Sequence, residues 1–93
     1  MTHRYIAIEG ADGAGKSTIA AAVVDRLRAA GRSVRLVREP GGTEIGEEIR
    51  RLLLHGSEMS PWTEALLFAA QRAQLVDEVV GPALEAGDLV VSD

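Results

Sequence analysis

Apolar positions along the chain fall into short continuous runs and longer runs with helical spacing. The continuous runs lie at residues 4–10, 33–38 and 88–93, and each predicts a strand. The first reads as a buried strand that ends in a turn. Arg35 and Arg38 interrupt the second run, which favours an edge strand over a central one.

The segments between these runs carry helical periodicity. The first predicted helix spans Ser17 to about Ala30 and ends at Gly31, a residue type that commonly stops helices. A second helix is predicted within residues 43–56, and a third begins at Ser60 and Pro61 and runs to about Val80, with an interruption at Gly81 and Pro82 and a short continuation to Ala86. The buried faces are predicted to carry Ile19, Val23 and Leu27 in the first helix and Ile45, Ile49 and Leu53 in the second.

The element order is strand, helix, strand, two or three helices, strand. This alternation is typical of the α/β class, in which a parallel sheet is flanked by helices. No internal repeat or linker divides the chain, so residues 1–93 are expected to form part of one domain. Asp93 follows the third strand directly, and we expect the chain to be a fragment of that domain.

Composition narrows the function classes. The 93 residues are 46% hydrophobic and 26% charged, which is typical of a globular protein. A formal net charge of -4 gives no basic surface for nucleic acid or an anionic membrane, so neither is expected as a partner. There is no apolar run of membrane-spanning length, no signal-peptide pattern and no cysteine, and these features favour a cytoplasmic location.

A phosphate-binding loop is the strongest chemical signal. Gly10, Gly15, Lys16 and Ser17 fit the pattern Gly-x-x-x-x-Gly-Lys-Ser/Thr between a predicted strand and a predicted helix. Glycines allow backbone N–H groups to close on phosphate oxygens, Lys16 can reach the β and γ phosphates, and the Ser17 hydroxyl can ligate Mg²⁺. The predicted phosphate contacts are Gly10, Ala11, Asp12, Gly13, Ala14, Gly15, Lys16, Ser17 and Thr18.

Several further side chains indicate a second substrate beside this loop. The segment REPGGT, residues 38–43, follows the second strand, and its charged pair is not explained by a simple turn. Phe68 and Arg72 lie one helical turn apart on one face, where an aromatic platform and a guanidinium could border a pocket, although a core role for Phe68 is the alternative. Asp93 ends an apolar strand, the place expected of a carboxylate that holds Mg²⁺ or its waters.

Four motifs together resemble the thymidylate kinase family: IEGADGAGKST, REPGGTEIGEEIR, LLFAAQRAQ and VVSD. They occur in the family's order and cover essentially the whole chain, which looks like the N-terminal half of that family. The resemblance implies the P-loop nucleoside monophosphate kinase fold, here with only its first three strands, the third lying between the second and the first. It also implies phosphoryl transfer from ATP to dTMP, giving dTDP and ADP in dTTP biosynthesis, with Mg²⁺ as cofactor and a homodimer as the assembly.

The resemblance further assigns roles to individual residues. Lys16, Asp12 and Asp93 are the implied catalytic residues, with Asp12 close to the acceptor's sugar hydroxyl. Glu39 and Arg50 look like groups near the acceptor phosphate and the metal. Phe68 looks like the aromatic that stacks on thymine, and Arg72 like the residue that hydrogen-bonds the base.

Two alternatives remain open from the residues alone. The phosphate loop also serves ATPases and regulatory switches that have no small-molecule acceptor, and it serves kinases for other nucleoside monophosphates. A base-stacking platform at Phe68 would distinguish a kinase from a switch. We also expect the 93-residue chain by itself to be inactive, since it holds no segment recognisable as a lid or an adenine site.

Overall fold

The computed structural model describes residues 4–10 and 15–93. Its elements, in chain order, are β1 (Tyr5–Ala7), α1 (Lys16–Ala29), β2 (Val34–Val37), α2 (Glu44–His55), α3 (Pro61–Leu75), a π-helical segment (Val76–Val80), α4 (Gly81–Glu85) and β3 (Leu89–Ser92). The order predicted from the apolar pattern is therefore confirmed. The chain divides into two compact units, Met1–Arg38 with Pro82–Asp93, and Glu39–Gly81.

The first unit contains a parallel sheet with strand order β1-β3-β2. Val91 of β3 lies opposite Ile6 of β1 on one side and opposite Leu36 of β2 on the other. Hydrogen bonds continue past the strand ends, since the Ile8 amide donates to the Ser92 carbonyl at 2.8 Å. The order confirms that the third strand lies between the other two, and β2 lies at an edge of the described sheet as predicted.

The core of this unit lies between the sheet and α1. All four residues of β3 are buried, as expected of a central parallel strand that has a neighbour on each side. The cluster consists of Val24, Val34, Leu89 and Val91, with Ile6, Ile8, Val23 and Leu27 packed against it. These contacts place the N-terminus of α1 and the end of β3 in one packed unit.

Two details of the predicted burial in this unit are wrong. Tyr5 is 44% exposed and Ile6 is only half-buried, because β1 has a strand neighbour on one side only in the described sheet. Ile19 is 52% exposed, whereas Ala20 and Val24 are buried. The buried stripe of α1 is therefore centred on Ala20 and Val24, with Val23 and Leu27 packed beside it.

The second unit is built on α2 and α3, which pack against each other. The predicted helix starts are confirmed, since Thr43 caps α2 through a 2.8 Å bond from the Gly46 amide and the Ser60 side chain caps α3. Ile45 is 52% exposed, so its predicted place on the buried face is wrong. Gly46 and Ile49 are buried instead, because the close approach of a preceding loop to Gly46 sets which face of α2 turns inward.

The predicted interruption at Gly81 and Pro82 coincides with the boundary between the π-helical segment and α4, but the backbone stays helical across it. The α-helical pattern changes at Val76, where a π-helical segment begins, and Gly81 has helical backbone angles and donates its amide hydrogen to the Val76 carbonyl. Pro82 has no amide hydrogen to donate, and it is the second residue of α4. None of the helices formed by the described residues is long and apolar enough to cross a membrane.

Candidate functional site

The predicted phosphate contacts include the N-terminus of α1. Gly15 precedes the helix with a φ of 77°, a left-handed conformation that favours glycine, and Lys16 is the first helical residue. Among residues 4–10 and 15–93 no side chain caps this helix, and its first turn contains no acidic residue. The other two long helices have side-chain caps, whereas α1 has none from the described residues, and an uncapped helix N-terminus is a common place for an anion to bind.

Lys16 and Asp93 approach each other at the end of β3. The Lys16 Nζ lies 3.9 Å from the Asp93 Oδ1, which is an ionic contact but too long for a hydrogen bond. The two side chains are 28% and 15% exposed, respectively. The backbone amide of Asp93 donates to the Val37 carbonyl at 2.8 Å, so the sheet itself holds the aspartate in place.

The Asp93 carboxylate offers an oxygen for a further ligand. Its Oδ1 is buried and accepts no hydrogen bond from the described part of the chain. Buried carboxylate oxygens need a donor, a water or a cation, because an unsatisfied buried polar atom is costly. The arrangement fits Mg²⁺, which takes oxygen ligands and is commonly held by one or two protein groups together with substrate phosphates. Across the described ranges no cluster of three acidic, histidine or cysteine side chains could hold a metal by itself.

The loop of residues 38–43 contains the cis peptide bond Glu39–Pro40, and all of it except Arg38 belongs to the second unit. Arg50 of α2 donates from Nη1 to the Pro40 carbonyl at 2.8 Å. The loop also lies so close to α2 that a Cβ at Gly46 would come within 2.8 Å of the Gly41 carbonyl oxygen. Arg50 and the tight approach at Gly46 thus fix the loop against α2.

Glu39 is the centre of a polar network between this loop and α3. Its side chain is 11% exposed, and its carboxylate accepts hydrogen bonds from Arg72 Nε at 2.9 Å and Arg72 Nη2 at 3.2 Å. The Oε1 atom also accepts from Gln71 Nε2 at 2.8 Å. Such a two-point contact between guanidinium and carboxylate fixes the plane of the guanidinium as well as its position.

Phe68 lies one turn before Arg72 on the same side of α3. It is 39% exposed within this chain. An accessible ring next to a held guanidinium can offer a planar ligand a stacking surface and hydrogen-bond donors together. The role of Phe68 in stacking stays a prediction.

The structure thus pairs Lys16 with Asp93 in one unit and Glu39 with Arg72 in the other. Arg50 contacts the Pro40 carbonyl, a loop-anchoring contact that the sequence did not indicate. Ser17 and Thr18 are exposed in the first turn of α1, and Gly10 is exposed after β1. The remaining predicted loop residues, Ala11, Asp12, Gly13 and Ala14, lie outside the described residues.

Gln71 is the site residue that sequence reasoning missed. It is 0% exposed and bonds to both Glu39 and the Gly41 amide. Its only sequence signal was its position, one residue before Arg72 and three after Phe68 in a helix. A polar residue there reads equally well as a solvent-exposed position, so the sequence alone could not identify it.

A parallel sheet of order β1-β3-β2, with a glycine-led helix start after β1 and an aspartate after β3, defines the P-loop nucleoside monophosphate kinase fold. Within that class, the thymidylate kinase family model matches residues 8–93, and the chain belongs to this family.

Similar proteins agree with this assignment. The thymidylate kinase of a Synechococcus strain is 51% identical over 89 residues, which cover 96% of this chain and 43% of the relative. That of Exiguobacterium sibiricum is 52% identical over 95 residues, covering 100% of this chain and 45% of the relative. The crystal structure of thymidylate kinase from Ehrlichia chaffeensis matches with a TM-score of 0.90 and 32% identity, covering 100% of this chain and 54% of that one. The chain therefore spans less than half the length of the two curated relatives.

Proposed function

We propose that the full-length protein transfers the γ phosphoryl group of Mg-ATP to dTMP, giving dTDP and ADP for dTTP biosynthesis. The observation that carries the choice of acceptor is the Arg72 guanidinium, held by Glu39 one turn from the accessible ring of Phe68. The family membership over residues 8–93 supports the same activity.

The donor half of the proposed site is the N-terminus of α1. Backbone amides of the first turn and the Lys16 ammonium bind the nucleotide phosphates, and Lys16 stabilises charge on the transferred group. Ser17 and Asp93 are the groups that would hold Mg²⁺, which neutralises phosphate charge when bound. Gly10, Thr18 and residues 11–14 are assigned to phosphate contacts on the sequence pattern alone, and Asp12 to the acceptor's sugar hydroxyl.

The acceptor half is the surface of the second unit around Arg72. Arginine only donates hydrogen bonds, so it favours a base that presents acceptors. Thymine presents the O4 acceptor where cytosine presents an amino donor. A cytosine amino group would therefore face the Arg72 donors without forming a hydrogen bond. Phe68 supplies the stacking surface for the base. Glu39 and Arg50 are placed near the acceptor phosphate in this proposal, with Arg50 also anchoring the loop at Pro40.

Phosphoryl transfer to a phosphate oxygen requires little proton chemistry, because the attacking oxygen is already anionic. The side chains therefore act by positioning the two nucleotides and by balancing charge. The proposal also includes a cytoplasmic location and a homodimer, the dimer resting on the family resemblance alone.

An acceptor panel tests the proposed function. The full-length protein is assayed with Mg-ATP and each of dTMP, dCMP, dAMP and dGMP, with Lys16→Met as the inactive control. We expect dTMP to give the highest kcat/KM and Lys16→Met to lower kcat by about 100-fold or more. A different preferred acceptor, or ATP hydrolysis that no monophosphate accelerates, would overturn the proposal.

A further inference from the structure

Gln71 uses both polar ends of its side chain to hold the loop of residues 38–43. Its Nε2 donates to Glu39 Oε1 at 2.8 Å, and its Oε1 accepts from the Gly41 amide at 3.2 Å. The side chain is 0% exposed, so these two bonds replace the solvation that a buried amide group loses. One residue of α3 thus binds the loop on both sides of Pro40.

The orientation of the Gln71 amide is fixed by chemistry. A backbone N–H can only donate, so the atom that faces Gly41 must be the oxygen. An ionised carboxylate can only accept, so the atom that faces Glu39 must be the nitrogen. The reversed amide would oppose donor to donor and acceptor to acceptor, and the contact therefore selects one arrangement.

This arrangement determines where the Glu39 carboxylate lies. Oε1 of Glu39 receives the partly buried bond from Gln71 and the bond from Arg72 Nε, while Oε2 receives the bond from Arg72 Nη2. The Arg72 side chain is 68% exposed, whereas the Gln71 side chain is fully buried. The bond from Gln71 thus ties the carboxylate that orients the guanidinium to a buried side chain of α3.

We propose that Gln71 is a positioning residue for nucleotide acceptor binding: it fixes Glu39, and through Glu39 it orients the Arg72 guanidinium toward the base. The inference rests on the proposed function, because it takes the acceptor to be a nucleoside monophosphate whose base faces Arg72. Gln71 itself contacts neither nucleotide in this proposal.

Few other side chains could do the same. Leucine at position 71 would leave the Gly41 amide and a Glu39 oxygen each without this partner. Glutamate would keep the acceptor for Gly41 but would place a second carboxylate within hydrogen-bond distance of Glu39, where like charges repel. Asparagine is one methylene shorter, and it could not span both partners.

The test compares Gln71→Leu and Gln71→Glu in the full-length protein. Gln74→Leu and Gln74→Glu are the matched controls, because Gln74 lies on the same helix and donates to a carboxylate, Glu78 Oε2, at 2.9 Å in an exposed pair. We expect both Gln71 variants to raise the KM for dTMP about tenfold or more while the KM for ATP stays within about twofold. Both Gln74 variants should behave as wild type.

A second measurement is independent of catalysis. The Arg72 Nε–H resonance, assigned by ¹H–¹⁵N NMR, should be sharp and protected from exchange in the wild type and should broaden in both Gln71 variants. Thermal melting identifies a variant that fails to fold. If Gln71→Leu fails to fold, the test uses Gln71→Glu alone, because that substitution keeps the side-chain size. Equal effects of the Gln71 and Gln74 variants on the KM for dTMP, equal rises in both KM values, or an unchanged Arg72 resonance would overturn the proposal. If the wild type is inactive with dTMP but the Arg72 resonance still broadens in both Gln71 variants, the proposed acceptor is rejected and the positioning role of Gln71 is retained.

Discussion

Replacement of Glu39 by glutamine tests the polar network that holds the acceptor side together. The substitution is nearly isosteric, so it changes charge and hydrogen bonding with little change in packing. If the new amide oxygen takes the place of Oε1, it still accepts from Gln71 and from Arg72 Nε, but the new NH₂ group then faces Arg72 Nη2 where a 3.2 Å bond existed. The reversed amide is worse, because its NH₂ group would face two donors.

The cost follows from these contacts. Hydrogen bonds to a charged group contribute about 1.5–3 kcal/mol, roughly twice a neutral bond. The bond from Gln71 would become neutral, the bond from Arg72 Nε would keep only its charged donor, and the bond from Arg72 Nη2 would be lost, but the Arg72 bonds are discounted because that side chain is 68% exposed. We therefore expect Glu39→Gln to lower the free energy of unfolding by about 2 kcal/mol.

Glu48→Gln is the matched control, because Glu48 pairs with Arg51 on α2 with both side chains about two-thirds exposed, at 65% and 63%. That loss should be about 0.5 kcal/mol or less. Urea unfolding of the full-length protein, followed by circular dichroism, measures both values. A Glu39→Gln loss that exceeds the Glu48→Gln loss by less than about 0.5 kcal/mol would refute the claim that the Glu39 network contributes more to stability than an exposed ion pair.

Two further predictions concern the loop of residues 38–43 and the helix caps, and urea unfolding measures both. Gly46→Ala should destabilise the protein by about 1–2 kcal/mol, although alanine is the better helix former, because the new Cβ would lie 2.8 Å from both the Gly41 carbonyl oxygen and Thr43 Oγ1. Greater stability in this variant would contradict the tight packing of the loop on α2. Thr43→Val should cost about 1–2 kcal/mol and Ser60→Ala about 0.5–1 kcal/mol, since Thr43 is a buried cap and Ser60 an exposed one. Equal losses would show that burial does not strengthen the Thr43 cap.

The sequence was sufficient for the parts of the fold that depend on local chemistry. Turn and cap residues such as Gly31, Ser60 and Pro61 act on their immediate neighbours, and the helices begin and end close to the predicted positions. The position of β3 between the other strands came from family resemblance, because strand pairing joins residues far apart in sequence, as in Leu36 opposite Val91. Burial of individual side chains was less predictable, and Ile45 is the clearest case, since its face depends on where the loop of residues 38–43 packs.

The residues of the candidate site also differ in whether a local sequence pattern identifies them. Lys16 and Asp93 could be predicted, because a phosphate loop and a strand-end aspartate have recognisable local patterns. The contact of Arg50 with Pro40 and the role of Gln71 could not, because both depend on the path of one loop against two helices. Gln71 and Glu39 are 32 positions apart, and no short motif relates an amide in a helix to a carboxylate at that distance.

The most direct test of the central claim is the ratio of kcat/KM for dTMP to kcat/KM for dCMP, measured with Mg-ATP in the full-length protein and in its Arg72→Leu variant. Because Arg72 can only donate and faces position 4 of the base in this account, we expect a wild-type ratio of about 100 or more. We expect the ratio to fall at least about tenfold in Arg72→Leu. A wild-type ratio near one, or a ratio that Arg72→Leu leaves unchanged, would contradict the assignment of this surface as the thymine-binding side of a dTMP kinase.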